Sequence, residues 1–384
     1  MRTCPECGKE LKADQLLCQC GTAVGVLETD LGDLGPISID LPNLDFQRPR
    51  IPAIDLSLSG TMSVPLPSFD IPTPAFKVDL RAQRSIRGHA FTVVIAIGGS
   101  EDAPIKLNLP MAVAYLPDRD FLVLDLGNAN GSFRIQQFHV EGGLCKLVHR
   151  PDDPSPAEMA KIPVSLTVDG RGHLFVSDMD TGSIKEYDSG GARLASYGHE
   201  GMGAGEMSSP RGIAADASGS VFVADSGNNR IVRWSQELQF VVAGINRLDE
   251  AQGWLQAGDG PGEFDEPQGL ALGPNKNIFV ADTNNHRIQI LDPSGQFLSA
   301  FGSEGEEAAH FSYPSHVRIG PNAVIYVADL GGRRLQTFNP KGEYSYEIIL
   351  PSDFGPLADF AVDVDGRILL ALRSRHAVIG IEVQ

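Results

Sequence analysis

The 384-residue chain predicts an all-β protein: a six-bladed β-propeller preceded by a small zinc ribbon and a Pro-rich extended linker. Three observations carry the propeller. Glu266 to Gly302 reads as four short strands, Gly269–Leu272, Ile278–Ala281, Arg287–Leu291 and Phe297–Phe301, separated by the turns GPNKN, DTNNH and DPSGQ. A strict register recurs, in which Pro110, Pro163, Pro210, Pro267 and Pro314 each precede an Asp by fifteen residues, at Asp125, Asp178, Asp225, Asp282 and Asp329. The copies begin 43 to 57 residues apart, the period of propeller blades rather than of helical or leucine-rich repeats. Strands this short cannot bury a two-sided core alone, so the unit must be stacked against copies of itself. A sixth copy has Leu357 and Leu372 at the two landmarks and keeps the apolar pattern in FAVDVDGRILLAL.

The first twenty-one residues hold four of the five cysteines, as Cys4-Pro5-Glu6-Cys7-Gly8 and Cys18-Gln19-Cys20-Gly21. Thiolates paired on Gly-ended turns can converge on one zinc ion with four sulfur ligands. The segment resembles short bacterial and archaeal zinc ribbons, CPxCGxxL followed by CxxCG, with its second knuckle one residue short. The alternative is a set of reduced, unliganded thiols. With almost no apolar residues to bury, any fold here would come from the metal, worth on the order of 10 kcal/mol. Four ligands are half the set of a RING ubiquitin ligase, so Cys4, Cys7, Cys18 and Cys20 read as a structural or docking knob.

Residues 22–87 are Pro-rich and repeat an apolar-Asp-apolar triplet, as in IDL at 39 and FDI at 69. They read as a semi-rigid polyproline linker; the alternative is a set of short extended pieces that add to a partner's strand edge. The folded body spans 88–384. FTVVIAIG at 91–98 has the look of a fourth strand with no preceding three, whereas the sixth copy ends after three. The two deficits match, so the first strand is expected to close the last blade and remove an open sheet edge.

The blade pattern resembles the NHL-repeat family: an anchor Pro, a strand ending V-A-D, an N-x-R turn and a final F-G stand here as Pro267, FVAD, Asn285-His286-Arg287 and Phe301-Gly302. That resemblance implies a six-bladed propeller and leaves activity open. Within each copy the Asp, with Arg230, Arg287 and Arg334 five residues on in the clean repeats, reads as turn scaffolding, because one active site does not need several copies of itself.

The net charge of −18 argues against nucleic acid, which needs a positive footprint. No apolar run is long enough to span a membrane, and the N-terminus lacks the core of a secretion signal, so a cytoplasmic location is expected. No catalytic residue is assigned. The amidating lyases that resemble this fold hold zinc with histidines after their anchor prolines; the corresponding residues here are Met111, Val164, Arg211, Gln268, Ser315 and Ala358. First strands line a propeller's channel, so Arg211, Gln268, Ser315 and His316 are expected to gather at one mouth, with Trp254 in a long inter-blade insertion as an aromatic anchor. The expected function is a non-catalytic adaptor that binds a protein or peptide partner, with one zinc ion in the N-terminal knob. The rival is a propeller hydrolase or lyase with a metal site in the channel.

Overall fold

The computed structural model describes residues 2–3, 10–11, 91–98, 106–126, 133–139, 144–149, 162–235, 238–244, 248–249 and 254–383. Contacts divide the chain into 1–24 with 75–384, and 25–74. The four N-terminal cysteines and the linker lie outside the described residues. At the N-terminus, Arg2–Thr3 pairs antiparallel with Glu10–Leu11.

Six antiparallel four-stranded sheets form the blades. Their first strands are Leu109–Tyr115, Pro163–Val168, Pro210–Ala215, Pro267–Leu272, Pro314–Ile319 and Leu357–Val362, here blades 1 to 6. The first strands of consecutive blades lie side by side, and that of blade 6 lies beside that of blade 1, so the ring closes. Phe91–Gly98 supplies the fourth strand of blade 6, pairing antiparallel with Ala377–Val383 from Phe91 opposite Val383 to Gly98 opposite Ala377. Closure is thus stitched by backbone hydrogen bonds between the two ends of the propeller.

The apolar core sits in six seams, each shared by two neighbouring blades. The second strands explain this arrangement. Sequences such as VFVAD, IFVAD, IYVAD and ILLAL are buried at every position, because alternate side chains serve the seams on either side. In blade 6, Leu370 packs toward blade 5 while Leu369 and Ala371 pack toward blade 1. Side-chain hydroxyls add cross-blade bonds: Ser177 Oγ donates to the Arg211 carbonyl at 2.5 Å and Thr283 Oγ1 to the Pro314 carbonyl at 2.8 Å.

The recurrent Asp acts at longer range than its own turn. Asp125, Asp178, Asp225, Asp282 and Asp329 stand at the ends of the second strands, Asp125 one residue before the end, fully or almost fully buried, and each accepts backbone N–H groups from the start of the same blade's first strand or the residues leading into it. The donors include Leu109 at 2.8 Å, Ile162 at 2.9 Å, Ser208 at 2.6 Å, Asp265 at 2.9 Å and Tyr313 at 2.8 Å. The anchor proline, which has no N–H, follows directly or within two residues. Arg230, Arg287 and Arg334 then bridge outward. Each pairs its Nε with the carboxylate, at 2.7, 2.8 and 3.1 Å, and donates to carbonyls of the incoming inter-blade loop, such as Met202, Gly260 and Glu306. In blade 1 the same bond comes from Arg134, nine residues beyond Asp125, at 2.8 Å. Asp178 instead takes the Thr181 hydroxyl at 2.6 Å. Burial pushes Asp225 up to about 6 against the opposing pull of Arg230, and raises Asp125 and Asp282 against Arg134 and Arg287.

Side-chain oxygens have an architectural use of the same sort in the hairpin turns. Asp169, Asp216 and Asp363 each accept the N–H groups two and four residues on in the first turns. Asp188, Asp292 and Asn339 do so in the third turns. These side chains replace the turn's missing backbone partners.

Candidate functional site: the hub mouth

Just after each anchor the first strand carries one extra residue relative to its partner. The pairing slips between Pro110 and Ala112, Pro163 and Ser165, Pro314 and His316, and Leu357 and Asp359, and across the matching stretches of blades 3 and 4. A β-bulge of this sort re-aims side chains at a rim. Six bulges in a ring therefore present the residues after the anchors to a common axis.

There they line a cavity of about 60 Å³. Met111, Val164, Arg211, Gln268, His316 and Ala358 bring one wall residue from each blade, and Arg373 and Ser374 reach in from the second turn of blade 6. The first strands approach one another closely enough to require glycine at two places. A Cβ on Gly212 would stand 2.5 Å from the Gln268 carbonyl oxygen, and one on Gly269 2.5 Å from that of Ser315.

Three of the expected residues, Arg211, Gln268 and His316, converge here. Ser315 does not line the cavity, although Met111, Val164 and Ala358 at the equivalent skipped position do: it is fully buried, with its Oγ 2.9 Å from His316 Nδ1. Trp254, expected as an aromatic anchor, lies in Trp254–Leu255, a two-residue ladder with Leu248–Asp249, beside the second turn of blade 3 at Ser226–Asn228.

Beneath the mouth lies an ion pair that spacing alone did not suggest. Asp359 is completely buried. It accepts Arg318 Nη2 at 2.5 Å, the Phe360 N–H at 2.8 Å and, across the seam to blade 1, the Val113 N–H at 3.2 Å. Burial raises its carboxyl while Arg318 opposes the rise. His316 Nε2 stands 3.9 Å from the same carboxylate. Burial first, then the nearby charges of Arg318 and Arg211, push its imidazole down to about 3. The ring is therefore neutral at physiological pH, and the His316–Asp359 approach is not an ion pair. Arg373 Nε and Nη2 lie 3.2 and 2.9 Å from the Met111 sulfur, a weak acceptor.

The sequence did hold a signal for these residues. Asp359 stands two positions after Leu357, as His316 stands two after Pro314, and Arg373 directly follows Leu372, the worn Asp landmark. Glu266, the residue before an anchor proline, is exposed and takes no part in the hub lining.

Two segments of the chain, 207–234 and 264–291, match the model of the NHL repeat. The chain carries NHL repeats. They fall in blades 3 and 4, each running from the lead-in to the anchor proline through the third strand. Among curated relatives, Protein brain tumor of Drosophila melanogaster is 53% identical over 45 residues, 12% of this chain and 4% of that one. NHL repeat-containing protein 3 of Mus musculus is 27% identical over 154 residues, 35% of this chain and 41% of that one. The matches thus span less than half the length of these relatives. Among solved structures, a streptogramin B lyase superposes with a TM-score of 0.51 at 14% identity, over 78% of this chain and all of that one; at that identity the likeness is one of fold.

Proposed function

We propose that the NHL propeller is a non-catalytic recognition module that binds a protein or peptide partner at the hub mouth, seating one carboxylate of that partner against Arg211 and Arg373. The carrying observation is that two arginines from blades 3 and 6, on opposite sides of the ring, line one small cavity in which no Asp or Glu is among the lining residues. Guanidinium groups recognise carboxylates through paired, charge-assisted hydrogen bonds. Gln268 adds a neutral amide, and His316 stays uncharged and cannot supply a competing cation.

The chain's net charge of −18 repels a polyacidic partner at long range. A single carboxylate on a neutral or basic peptide, or a chain-terminal one, avoids that repulsion. The rival hydrolase or lyase reading needs a metal-binding set in the channel. The hub's potential donors are His316 and Asp359, and the second is held by Arg318 and two backbone amides. No three His, Cys, Asp or Glu side chains converge among the described residues. In the same reading Cys4, Cys7, Cys18 and Cys20 hold one structural zinc ion in a docking knob.

Fluorescence polarisation with matched peptides tests the hub. Peptides with a free terminal carboxylate or one internal Glu should bind, and amidated or Gln versions should bind at least tenfold more weakly. Arg211→Ala and Arg373→Ala should remove that preference. Equal binding of charged and neutral peptides would overturn the reading, and so would turnover of a lactone or a streptogramin by the wild type that is abolished in His316→Ala.

A further inference from the structure

A second and larger cavity, of about 280 Å³, lies between blades 2 and 3 and takes no residue from a first strand. It is separate from the hub. Its floor is Phe175 and Val221, both buried core residues. Tyr197 and Trp234 form a wall, their rings 5.7 Å apart and tilted by 47°. Glu186 is also buried; one carboxylate oxygen accepts the Tyr197 hydroxyl and the other lies 2.7 Å from His173 Nδ1. Arg171 arches in from the first turn of blade 2, its Nη2 2.7 Å from Asp169, over the space left by the absent side chain of Gly219.

The lining narrows what the cleft can hold. A carboxylate beside aromatic faces attracts an ammonium group. A rim guanidinium calls for an acceptor. The volume suits a fragment-sized molecule, just below the range of drug-sized pockets.

We propose that the cleft between blades 2 and 3 binds a small amine that also carries a hydrogen-bond acceptor, the chemistry of an amino acid or amino-acid amide. The ammonium group pairs with Glu186 between the Tyr197 and Trp234 rings, the acceptor faces Arg171, and the apolar body rests on Phe175 and Val221. This is independent of the hub reading, since the two sites share no residue.

The chain has two tryptophans, so the full-length protein carrying Trp254→Phe reports on Trp234 alone. Its emission is titrated with free amino acids, their amides, matched alkylamines and matched carboxylic acids. Amino acids and amides should give saturable changes, with acids lacking the amine at least tenfold weaker. Glu186→Gln, which keeps the shape and an acceptor for Tyr197, should lose at least tenfold in amine affinity. Tyr197→Phe, which frees one carboxylate oxygen, should bind amines as tightly or better. In calorimetry, Arg171→Gln should make amino acids and simple amines bind alike. No saturation by any amine in the millimolar range overturns the proposal, as does unchanged affinity in E186Q, weaker amine binding in Y197F, or equal binding by acids without an amine.

Discussion

Replacing Asp225 tests whether the recurrent acid is architecture. In the native fold its carboxylate holds the Ser208 N–H at 2.6 Å, Asn228 Nδ2 at 2.9 Å and Arg230 Nε at 2.7 Å. Arg230 is itself only 2% exposed. Asp225→Ala leaves a buried guanidinium without its counter-charge and a buried amide without an acceptor. Breaking a buried pair in this way costs about 3–5 kcal/mol. At about 2–4 °C per kcal/mol for a domain of this size, the melting temperature should fall by roughly 10 °C. The informative comparison is the double variant Asp225→Ala with Arg230→Met, in which no unpaired charge remains; it should melt above the single variant, since apolar replacement of a whole buried pair is close to neutral. Scanning calorimetry on the full chain decides between the outcomes. A D225A melt within experimental error of wild type, or a double variant less stable than the single, would refute the argument that a paired, buried charge ties the second strand to the incoming loop.

Other outcomes follow from the same geometry. Because the folded carboxyl of Asp225 is raised to about 6 from 3.8, its protonated form favours the native state: that contribution is complete below about pH 4 and is lost as pH rises through 6. Asp225→Asn should remove this component of the urea-midpoint profile, and an unchanged slope between pH 4 and 6 would contradict it. Deleting residues 91–98 uncovers the edge of Ala377–Val383 and should give aggregated or oligomeric protein in size-exclusion chromatography; a soluble monomer with an unaltered melt would count against closure at this seam. Gly269→Ala forces a methyl group onto the Ser315 carbonyl, whose backbone cannot yield, so the variant should lose several degrees of melting temperature, whereas Gly190→Ala, whose Cβ would meet only the Asp188 side chain at 3.2 Å, should lose less. Metal analysis of the purified full chain should find one zinc ion per molecule, absent from the Cys4→Ser, Cys7→Ser double variant, with the main melting transition unmoved in both.

The blades were legible because they are local. Each second strand must be apolar on both faces, each turn needs Asp, Asn or Gly at set places, and each anchor proline must begin a strand. Local chemistry repeated in register is written directly in the residues. The pairing of Phe91–Gly98 with the last blade was legible for a similar reason, since an unfinished sheet at one end needs a lone strand from the other.

The candidate sites were only half legible, because they depend on which residues of different blades face one another. That Arg211, Gln268 and His316 share a mouth followed from their places one or two residues after the anchors. That His316 lines it while Ser315 does not did not follow, nor did the pairing of Arg318 with Asp359, 41 residues apart along the chain. Asp359 lies in the copy whose landmarks are worn, so periodicity directed attention away from it. Glu186, Tyr197 and Trp234 likewise looked like ordinary strand residues, and only the packing of blade 2 against blade 3 leaves a void among them. The sequence by itself determined the repeat, the turns and the number of blades, since these answer to neighbours a few residues away. The tertiary structure decided the two cavities and their charge, because those arise where separate blades meet and no single repeat encodes its neighbour's side chain.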